Sequence, residues 1–434
     1  MTDLLEKLAS RQARIAVIGQ GYVGLPVAAA FARQGFAAIG FDTDAAKVAR
    51  LNRGESDLRD LPTADLSALV QTGRYGATAD PAILAGCDVA IICVPTPVTA
   101  AREPDLASVL AAADTVAAHL HPGMLVVLES TTFPGTTREL LLPRLARGGH
   151  EVGRDFFLGF SPERIDPGNQ KFPLTKIPKV VSGVTPACRE ACVALYSTIV
   201  ETVVPVSTTQ AAEMVKVVEN TVRAVNIALV NELALLCNRM ELNVWEVLEA
   251  AYTKPFGILP YFPGPGVGGH CIAVDPHYLE KKALEYNFSA RFITLATEVN
   301  RHMPEYVVAR AADLLNRDGV APSRAKILLL GIAYKANIGD YRESPALDVF
   351  TGLEKAGVQV AYHDPFVPTI HTAGRKVASE PLTPALLNAQ DLVIVTTAHA
   401  AIDYPWVVAN AKRLFDTRNA TKAVTAHRER ITLL

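Results

Sequence analysis

The 434-residue chain has almost no net charge: 42 Lys and Arg stand against 44 Asp and Glu, a balance of −2. Nucleic-acid grooves and membrane-surface faces are built from clustered cations, so neither partner is expected. Aromatic residues are scarce at 7%, with two Trp, which argues against a stacking platform for single strands. There are six cysteines and no C-x-x-C pair, so the chain is no disulfide scaffold and no metal site is expected. Cys87, Cys93 and Cys237 sit in apolar runs and read as small packing residues, and Cys188 and Cys192 lack further ligand-type neighbours. No run of ~20 uninterrupted apolar residues exists. Even Val222 to Cys237 is broken by Arg223, Asn226, Asn231 and Glu232. The opening MTDLLEKLASRQ has no apolar segment of a secretory signal, so a cytoplasmic protein is expected.

What is present is ordinary for a globular chain: half the residues are hydrophobic and 20% are charged. At roughly 100–200 residues per domain, the length predicts about two to four domains. Short apolar runs, RIAVIG (14–19), AAIGFD (37–42), DVAIICV (88–94), MLVVLES (124–130), FFLGFS (156–161) and KVVSGV (179–184), have helical patterns between several of them. That alternation predicts a parallel sheet wrapped by helices. From Thr208 the pattern becomes helical, with some thirty residues at three-and-four spacing and no strand. A Pro/Gly-rich loop interrupts at 254–271, and helical patterning resumes over about 276–317. A second strand–helix–strand series starts at Lys326 and includes DLVIVTT (391–397). The expected architecture is therefore α/β: two Rossmann-like domains joined by a long central helix and a helical middle domain. The boundaries fall at 1–205, 206–318 and 319–434.

The first chemical motif is Gly19-Gln20-Gly21-Tyr22-Val23-Gly24. It follows a strand, opens a helix, and has Asp42 at the end of the next strand. Glycines let the backbone approach a pyrophosphate, a helix N-terminus faces its charge, and a carboxylate accepts the ribose hydroxyls. An acid at 42 also repels a 2′-phosphate, so NAD is expected over NADP. Lys47 reads equally as a contact to the adenosine edge and as a solvated lysine. The loops carrying Pro95 and Thr96, and Glu129, Ser130 and Thr131, follow strands of the same sheet. They read either as borders of the dinucleotide site or as ordinary turns.

Lys216 and Asn220 are four apart in the middle helix and share a face. They suit a substrate oxygen that becomes negative, and by spacing alone they also fit a solvated polar stripe. The strongest single signal is Gly264-Pro265-Gly266-Val267-Gly268-Gly269-His270-Cys271, with Asp275 four residues on. A cysteine beside a hydride acceptor can trap an aldehyde as a thiohemiacetal whose oxidation gives a thioester. The other reading is a small residue tolerated in a turn. Asp275 could serve as a base or hold a water. His270 reads as an activating base or as a loop residue satisfied by backbone.

Taken in order, GQGYVG, EST, SPERIDPGN (161–169), EMVKVVEN (213–220), PGPGVGGHCIAVDPHYL (263–279) and YKANIGDYRESPA (334–346) resemble the UDP-glucose/GDP-mannose dehydrogenase family over essentially the whole chain. SPERIDPGN and GGHCIAVDPHYL resemble the branch acting on UDP-N-acetylhexosamines, most closely the UDP-N-acetylglucosamine 6-dehydrogenases. The resemblance implies that Cys271 is the nucleophile and that Lys216 and Asn220 hold the oxyanion. It implies that Asp275 supports Lys216 and the hydrolytic water, that Glu163 acts through water in acid/base steps, and that Thr131 lies near that water. It implies NAD contacts from Gly19, Gly21, Tyr22, Val23, Gly24, Asp42, Lys47, Pro95, Thr96, Thr131 and Arg342. It implies substrate contacts from Glu163, Arg164, Tyr261, Phe262, Gly266, Gly268, Tyr334, Lys335 and Arg418, besides Lys216 and Asn220. Two positions depart from the glucose-type enzymes: Val274 stands where those have Lys, and Pro167 where they have a second Glu.

The expected activity is an NAD-dependent, four-electron oxidation of a UDP-N-acetylhexosamine at its 6-hydroxymethyl group, for surface-polysaccharide precursors. UDP-N-acetylglucosamine is favoured because the stretches 253–257 and 362–366 look like that subgroup. UDP-N-acetylmannosamine and UDP-glucose are the alternatives within the family. A two-electron hydroxyacid dehydrogenase of the 6-phosphogluconate type needs no catalytic cysteine, and an inactive nucleotide-sugar sensor need not keep Cys271, Lys216 and Asp275. The long apolar middle helix predicts a homodimer or higher homo-oligomer.

Overall fold

The computed structural model describes residues 1–58, 60–97, 99, 104–165, 172–269, 272 and 274–434. The chain forms two compact units, Met1–Glu219 with His277–Asn287, and Asn220–Pro276 with Phe288–Leu434.

The first unit is built on an eight-stranded sheet. Its strands are β1 (Arg14–Ile18), β2 (Ala37–Phe41), β3 (Tyr75–Thr78), β4 (Val89–Ile92), β5 (Leu125–Leu128), β6 (Phe157–Phe160), β7 (Lys179–Gly183) and β8 (Val203–Pro205). The order is β3-β2-β1-β4-β5-β6-β7-β8. The first six strands repeat the 3-2-1-4-5-6 order of dinucleotide-binding folds, with the reversal between β1 and β4. β4, β5 and β6 are buried along their whole length, as strands covered on both faces must be. The expectation of a wholly parallel sheet fails at one place: β7 pairs antiparallel with β6. Among the described residues, the connection from 161 to 178 holds only the single turn Leu174–Lys176. Among the described residues no crossover helix carries the chain back across the sheet, and β7 runs antiparallel to β6. β3 and β8 were not visible as apolar runs because they are short and partly exposed.

The helical stretch from 208 is two helices, Thr209–Arg239 and Val244–Ala251. Glu241 takes a left-handed φ of 58°, which ends the first helix, and the Asn243 side chain caps the second through the Trp245 N–H. Helices Asp275–Glu285 and Arg291–Arg317 follow.

The second unit holds β9 (Lys326–Leu330), β10 (Gln359–His363), β11 (Thr369–Thr372), β12 (Arg375–Ala378), β13 (Leu392–Val395), β14 (Leu414–Asp416) and β15 (Ile431–Leu433). Five of these make an all-parallel sheet in the order β10-β9-β13-β14-β15. Renumbered within the unit this is 2-1-3-4-5, the other common doubly wound order, with its switch point between β9 and β13. β11 and β12 form a separate hairpin. Among the described residues no helix is long and apolar enough to cross a membrane.

Candidate active site

In the first unit the three motif glycines have three different physical reasons. Gly19 turns the chain at φ 91°, and a Cβ there would lie 2.7 Å from the Cys93 carbonyl oxygen. A Cβ at Gly24 would lie 1.8 Å from the Gly19 oxygen, so only glycine lets the helix Gly24–Arg33 start against the strand end. A Cβ at Gly21 would meet nothing within 4 Å. That face of the turn is open, and no side chain caps the helix that follows. Tyr22 stands about half exposed on the same turn. Behind it, Gln20 is buried, donating to the Val17 carbonyl (2.8 Å) and accepting from the Tyr75 hydroxyl (2.9 Å). Gln20 and Tyr75 were missed in the sequence, where the middle residue of G-x-G carries no signal.

Asp42 follows β2 and is nearly buried. Its Oδ2 accepts from the Gln20 N–H (2.9 Å) and the Lys47 ammonium (2.8 Å), and its Oδ1 from the Asp44 N–H (3.0 Å). Burial pushes this carboxyl up, but the bonds from Lys47, Asp44 and Gln20 outweigh it and hold the group below its ordinary value. Lys47 is therefore neither simply solvated nor free; it is paired with Asp42.

The loops after β4 and β5 are tied together. The Ser130 hydroxyl donates to the Val94 carbonyl (2.7 Å) and its N–H to the Ile92 carbonyl (3.2 Å). The fully buried Tyr278 donates to the carbonyls of Thr96 (3.0 Å) and Pro97 (3.2 Å). Thr131 is half-buried beside Thr132, whose buried hydroxyl oxygen has no protein partner. Glu213, fully buried, accepts from the N–H groups of Gly135 (2.5 Å) and Thr137 (2.8 Å) and from the Thr137 hydroxyl (2.7 Å). These bonds anchor the start of the long helix, which carries the buried Lys216 one turn on.

Glu163 lies just past β6 and is 7% exposed. One oxygen accepts from the Ile165 N–H, and the other, Oε2, has no protein partner. Its carboxyl is pushed up to about 7, by burial first, with Lys179 opposing, Glu129 adding, and Lys216 and the Arg164 N–H opposing. Arg164 donates to the Pro178 carbonyl (2.6 Å) and pairs with Glu219 (2.5 Å).

In the second unit Asn220 donates to Asp275, a pairing the sequence did not name, since it set Asp275 beside Lys216. The glycine loop is held from below. Asn231 accepts from the Gly264 N–H (3.0 Å) and donates to Asn300 (2.9 Å), which donates to the Ala224 carbonyl (3.1 Å). The sequence marked Asn231 only as a break in an apolar helix. The loop also packs on the sheet end. A Cβ at Gly264 would lie 2.4 Å from the Arg418 guanidinium, and one at Gly269 2.8 Å from the Tyr334 ring. At Gly268 a Cβ would lie 2.7 Å from the Glu343 carbonyl oxygen, and at Gly266 2.9 Å from Pro345. Phe262 stacks on Trp245 (6.0 Å between centroids), and the Tyr261 N–H donates to the Tyr252 hydroxyl (3.1 Å). Arg418 donates to the Thr396 carbonyl (3.0 Å), and Arg342 grips both oxygens of Asp340 (2.9 and 2.7 Å).

The loop of Tyr334 and Lys335 is anchored by two buried residues the sequence did not single out. Asp364 accepts from the N–H groups of Ile332 (2.7 Å) and Ala333 (3.0 Å) and meets His399 at 3.0 Å. The Asn337 N–H donates to His399 Nδ1 (3.0 Å), so Nε2 carries the proton toward Asp364. Cys271, His270 and Pro167 lie outside the described residues.

Comparison with known proteins decides what this arrangement belongs to. Residues 13–200 match the NAD binding domain of the UDP-glucose/GDP-mannose dehydrogenase family, 210–302 its central domain and 328–423 its UDP binding domain. The chain belongs to the UDP-glucose/GDP-mannose dehydrogenase family. It is 35% identical over 389 residues to UDP-N-acetyl-D-glucosamine 6-dehydrogenase of Pseudomonas aeruginosa, covering 89% of this chain and 90% of that one. It is 40% identical over 354 residues to UDP-N-acetyl-D-mannosamine dehydrogenase of Escherichia coli strain K12, covering 78% and 81%. The solved UDP-D-ManNAc dehydrogenase of Pyrococcus horikoshii superposes with a TM-score of 0.85 at 32% identity, covering 94% and 96%.

The chain is thus an NAD-dependent UDP-sugar dehydrogenase, as its motifs implied. The residues present fit NAD: the open Gly21 backbone, the uncapped helix behind it and Asp42, held below its ordinary value, would hold its pyrophosphate and ribose. A 2′-phosphate would face the Asp42 carboxylate, and Lys47 offsets only part of that repulsion because it is already paired there. We expect kcat/KM to favour NAD over NADP by about a hundredfold or more, since like-charge juxtaposition costs several kcal/mol. Equal values would show that Asp42 does not face the ribose.

Proposed function

We propose that this dehydrogenase oxidises the 6-hydroxymethyl group of UDP-N-acetylglucosamine to the carboxylate, in the synthesis of surface-polysaccharide precursors. The observation that carries the reading is the clamped glycine loop. Asn231 grips it at Gly264, it packs on Tyr334 and Arg418, and it leads directly to Cys271. Clamping 264–269 this closely serves a site whose groups must keep a defined geometry, which a loop that merely carries a packing residue does not need. The GGHCIAVDP form, with Val274 in place of Lys, supports the acetamido branch. Similarity alone leaves the epimer open, because relatives acting on the gluco and the manno compounds both match. We take the gluco compound from the stretches 253–257 and 362–366.

NAD, when bound, takes a hydride from the reacting carbon in each of two oxidations. Lys216 and Asn220 hold the alkoxide-like oxygen, an effect worth about 3–4 kcal/mol for a well-placed donor. Cys271 adds to the aldehyde carbon, and the resulting thiohemiacetal is oxidised to a thioester. Water then attacks the thioester and releases the carboxylate and the thiol. Glu163 takes the proton of that water, with Thr131 close by, while Asp275 orients Asn220. Tyr334, Lys335 and Arg418 hold the uridine diphosphate, Tyr261, Phe262, Gly266 and Gly268 line the sugar, and Arg342 reaches toward the cofactor. The division 1–205, 206–318 and 319–434 assigns these tasks to cofactor, catalytic and nucleotide parts.

The deciding experiment mixes enzyme and NAD with UDP-N-acetylglucosamine, UDP-N-acetylmannosamine, UDP-N-acetylgalactosamine and UDP-glucose, and follows NADH absorbance. The gluco compound should give the highest kcat/KM, with two NADH per carboxylate formed. A best rate with the manno compound would overturn the epimer, and one with UDP-glucose the branch. A ratio of one NADH would overturn the cysteine-linked mechanism and favour a two-electron dehydrogenase.

We also propose a homodimer through the long helix. Val222, Leu229, Leu233, Leu236 and Met240 recur at three-, four- and seven-residue steps and are each 37–58% exposed. A stripe of that length on a helix is paired in stable proteins, and its two-fold copy supplies the same pattern. Leu229→Glu with Leu233→Glu should shift the mass by light scattering from dimer to monomer. An unchanged mass would place the interface elsewhere.

A further inference from the structure

Lys179 begins β7, where a lysine at a strand end is ordinarily solvated. Here its side chain is 9% exposed and its ammonium is enclosed. It donates to Glu129 Oε2 (2.9 Å) and to the Pro162 carbonyl (3.3 Å), and it lies 5.1 Å from the centre of the Tyr196 ring. The Tyr196 hydroxyl donates to the other oxygen of Glu129. Glu129 and Tyr196 are both fully buried.

A buried ion pair is a poor source of stability, because an apolar pair of similar volume would serve as well or better. What this pair does have is position. Glu129 opens the Glu129-Ser130-Thr131 loop, which Ser130 ties to the end of β4. Pro162 immediately precedes Glu163 in the loop after β6. One ammonium therefore joins the ends of β5, β6 and β7, and its bond to the Pro162 carbonyl is one residue before the carboxylate whose Oε2 has no partner among the described residues.

We propose that Lys179 is a positioning residue for the reaction, holding the Glu163 loop in register with the Glu129–Thr131 loop through Glu129 and the Pro162 carbonyl. The proposal rests on the reading of Glu163 as the acid/base carboxylate. The charges around Glu163 agree with it. Burial disfavours its ionised form; Lys179 and Lys216 oppose that, Glu129 adds to it, and the Arg164 N–H helps the ion. Cys93, which also faces the group, stays a neutral thiol because burial holds it well above its usual value. Lys179 itself stays charged: burial lowers it, but Glu129 and Glu163 more than compensate. Removing Lys179 thus removes the largest influence favouring ionised Glu163.

The test is the pH dependence of kcat and kcat/KM for Lys179→Met, Lys179→Arg, the charge-neutral pair Lys179→Met with Glu129→Gln, and Glu163→Gln. Lys179→Met should move the acidic limb upward by about one unit and lower kcat at pH 7 about tenfold or more, with KM for NAD changed less than about threefold. The double variant does not strand the Glu129 carboxylate without its ammonium, so it carries the test if the single variant does not fold. Its limb should move in the same direction by less, because the opposing charge of Glu129 is gone too. Lys179→Arg should bring the limb back toward its wild-type position. Wild-type limbs with near-normal kcat in the Met variants, while Glu163→Gln loses its limb, would overturn the role of Lys179 alone. A uniform loss of activity with an unmoved limb would reduce Lys179 to a structural residue and would equally overturn it. Glu163→Gln retaining the wild-type limb and rate would instead overturn the reading of Glu163 itself.

Discussion

Cys271→Ser is expected to lower sustained NADH production by about a thousandfold or more while UDP-sugar and NAD binding stay nearly intact. The difference is chemical. A thiol supplies a few per cent thiolate near pH 7 and a serine hydroxyl essentially none, so capture of the aldehyde is lost with the substitution. A serine ester is also a poorer acyl donor to water than a thioester, so any acyl-enzyme that forms would accumulate. The volume change is small, and the loop is held at Gly264 by Asn231 and at Gly269 by contact with Tyr334. Steady-state rates, with titration calorimetry for both ligands, make the check. A near-normal rate would remove Cys271 from the mechanism, and a lost affinity with lost rate would point to a structural role.

Glu163→Gln is expected to lower kcat by roughly a hundred- to ten-thousandfold, the usual range for removing a positioned general base. Its wild-type pH profile should carry the signature. Glu163 is pushed up to about 7, chiefly by burial, so the ionised form that accepts a proton is depleted below that pH. The rate should therefore be level above about pH 8 and fall tenfold per unit below about pH 6. The substitution should abolish that limb as well as the rate, because an amide does not titrate in the range. Glu213 is also pushed up to about 7 by burial, against bonds from Thr137 and Gly135. It is a useful control. All its bonds go to the Gly135–Thr137 turn, so Glu213→Gln should weaken folding more than it moves the limb. A limb that survives Glu163→Gln would assign it to another group.

Much of the candidate site was legible because its chemistry is local. Gly19 to Asp42 is one strand–turn–helix–strand; Gly24 is set by the Gly19 oxygen five residues back, though Gly19 itself also meets the Cys93 carbonyl just past β4. The glycines before Cys271 were legible as a cluster, but what requires them is distant: Arg418 against Gly264, Glu343 against Gly268 and Tyr334 against Gly269. Asn220 and Asp275 were named separately, and their hydrogen bond joins two stretches 55 residues apart. The antiparallel β7 was not legible, because direction depends on the path of the connection and not on the strand's own apolar pattern.

The sequence by itself thus determined the doubly wound class, the glycine turn with an acid after β2, and the family with its NAD and UDP-sugar. All of these are written in short windows where sterics and charge act between near neighbours. Only the tertiary structure decided that Lys47 pairs with Asp42, and that Asn231 and Asn300 support the glycine loop. It also decided that Asp364 and His399 brace the Tyr334 loop, and that Lys179 is buried against Glu129 and Tyr196. A lysine, an asparagine or a histidine reads the same in sequence whether it is solvated or enclosed. Which it is depends on partners that range from 5 residues away, Asp42 for Lys47, to 69, Asn300 for Asn231, and only folding brings them within reach of a hydrogen bond.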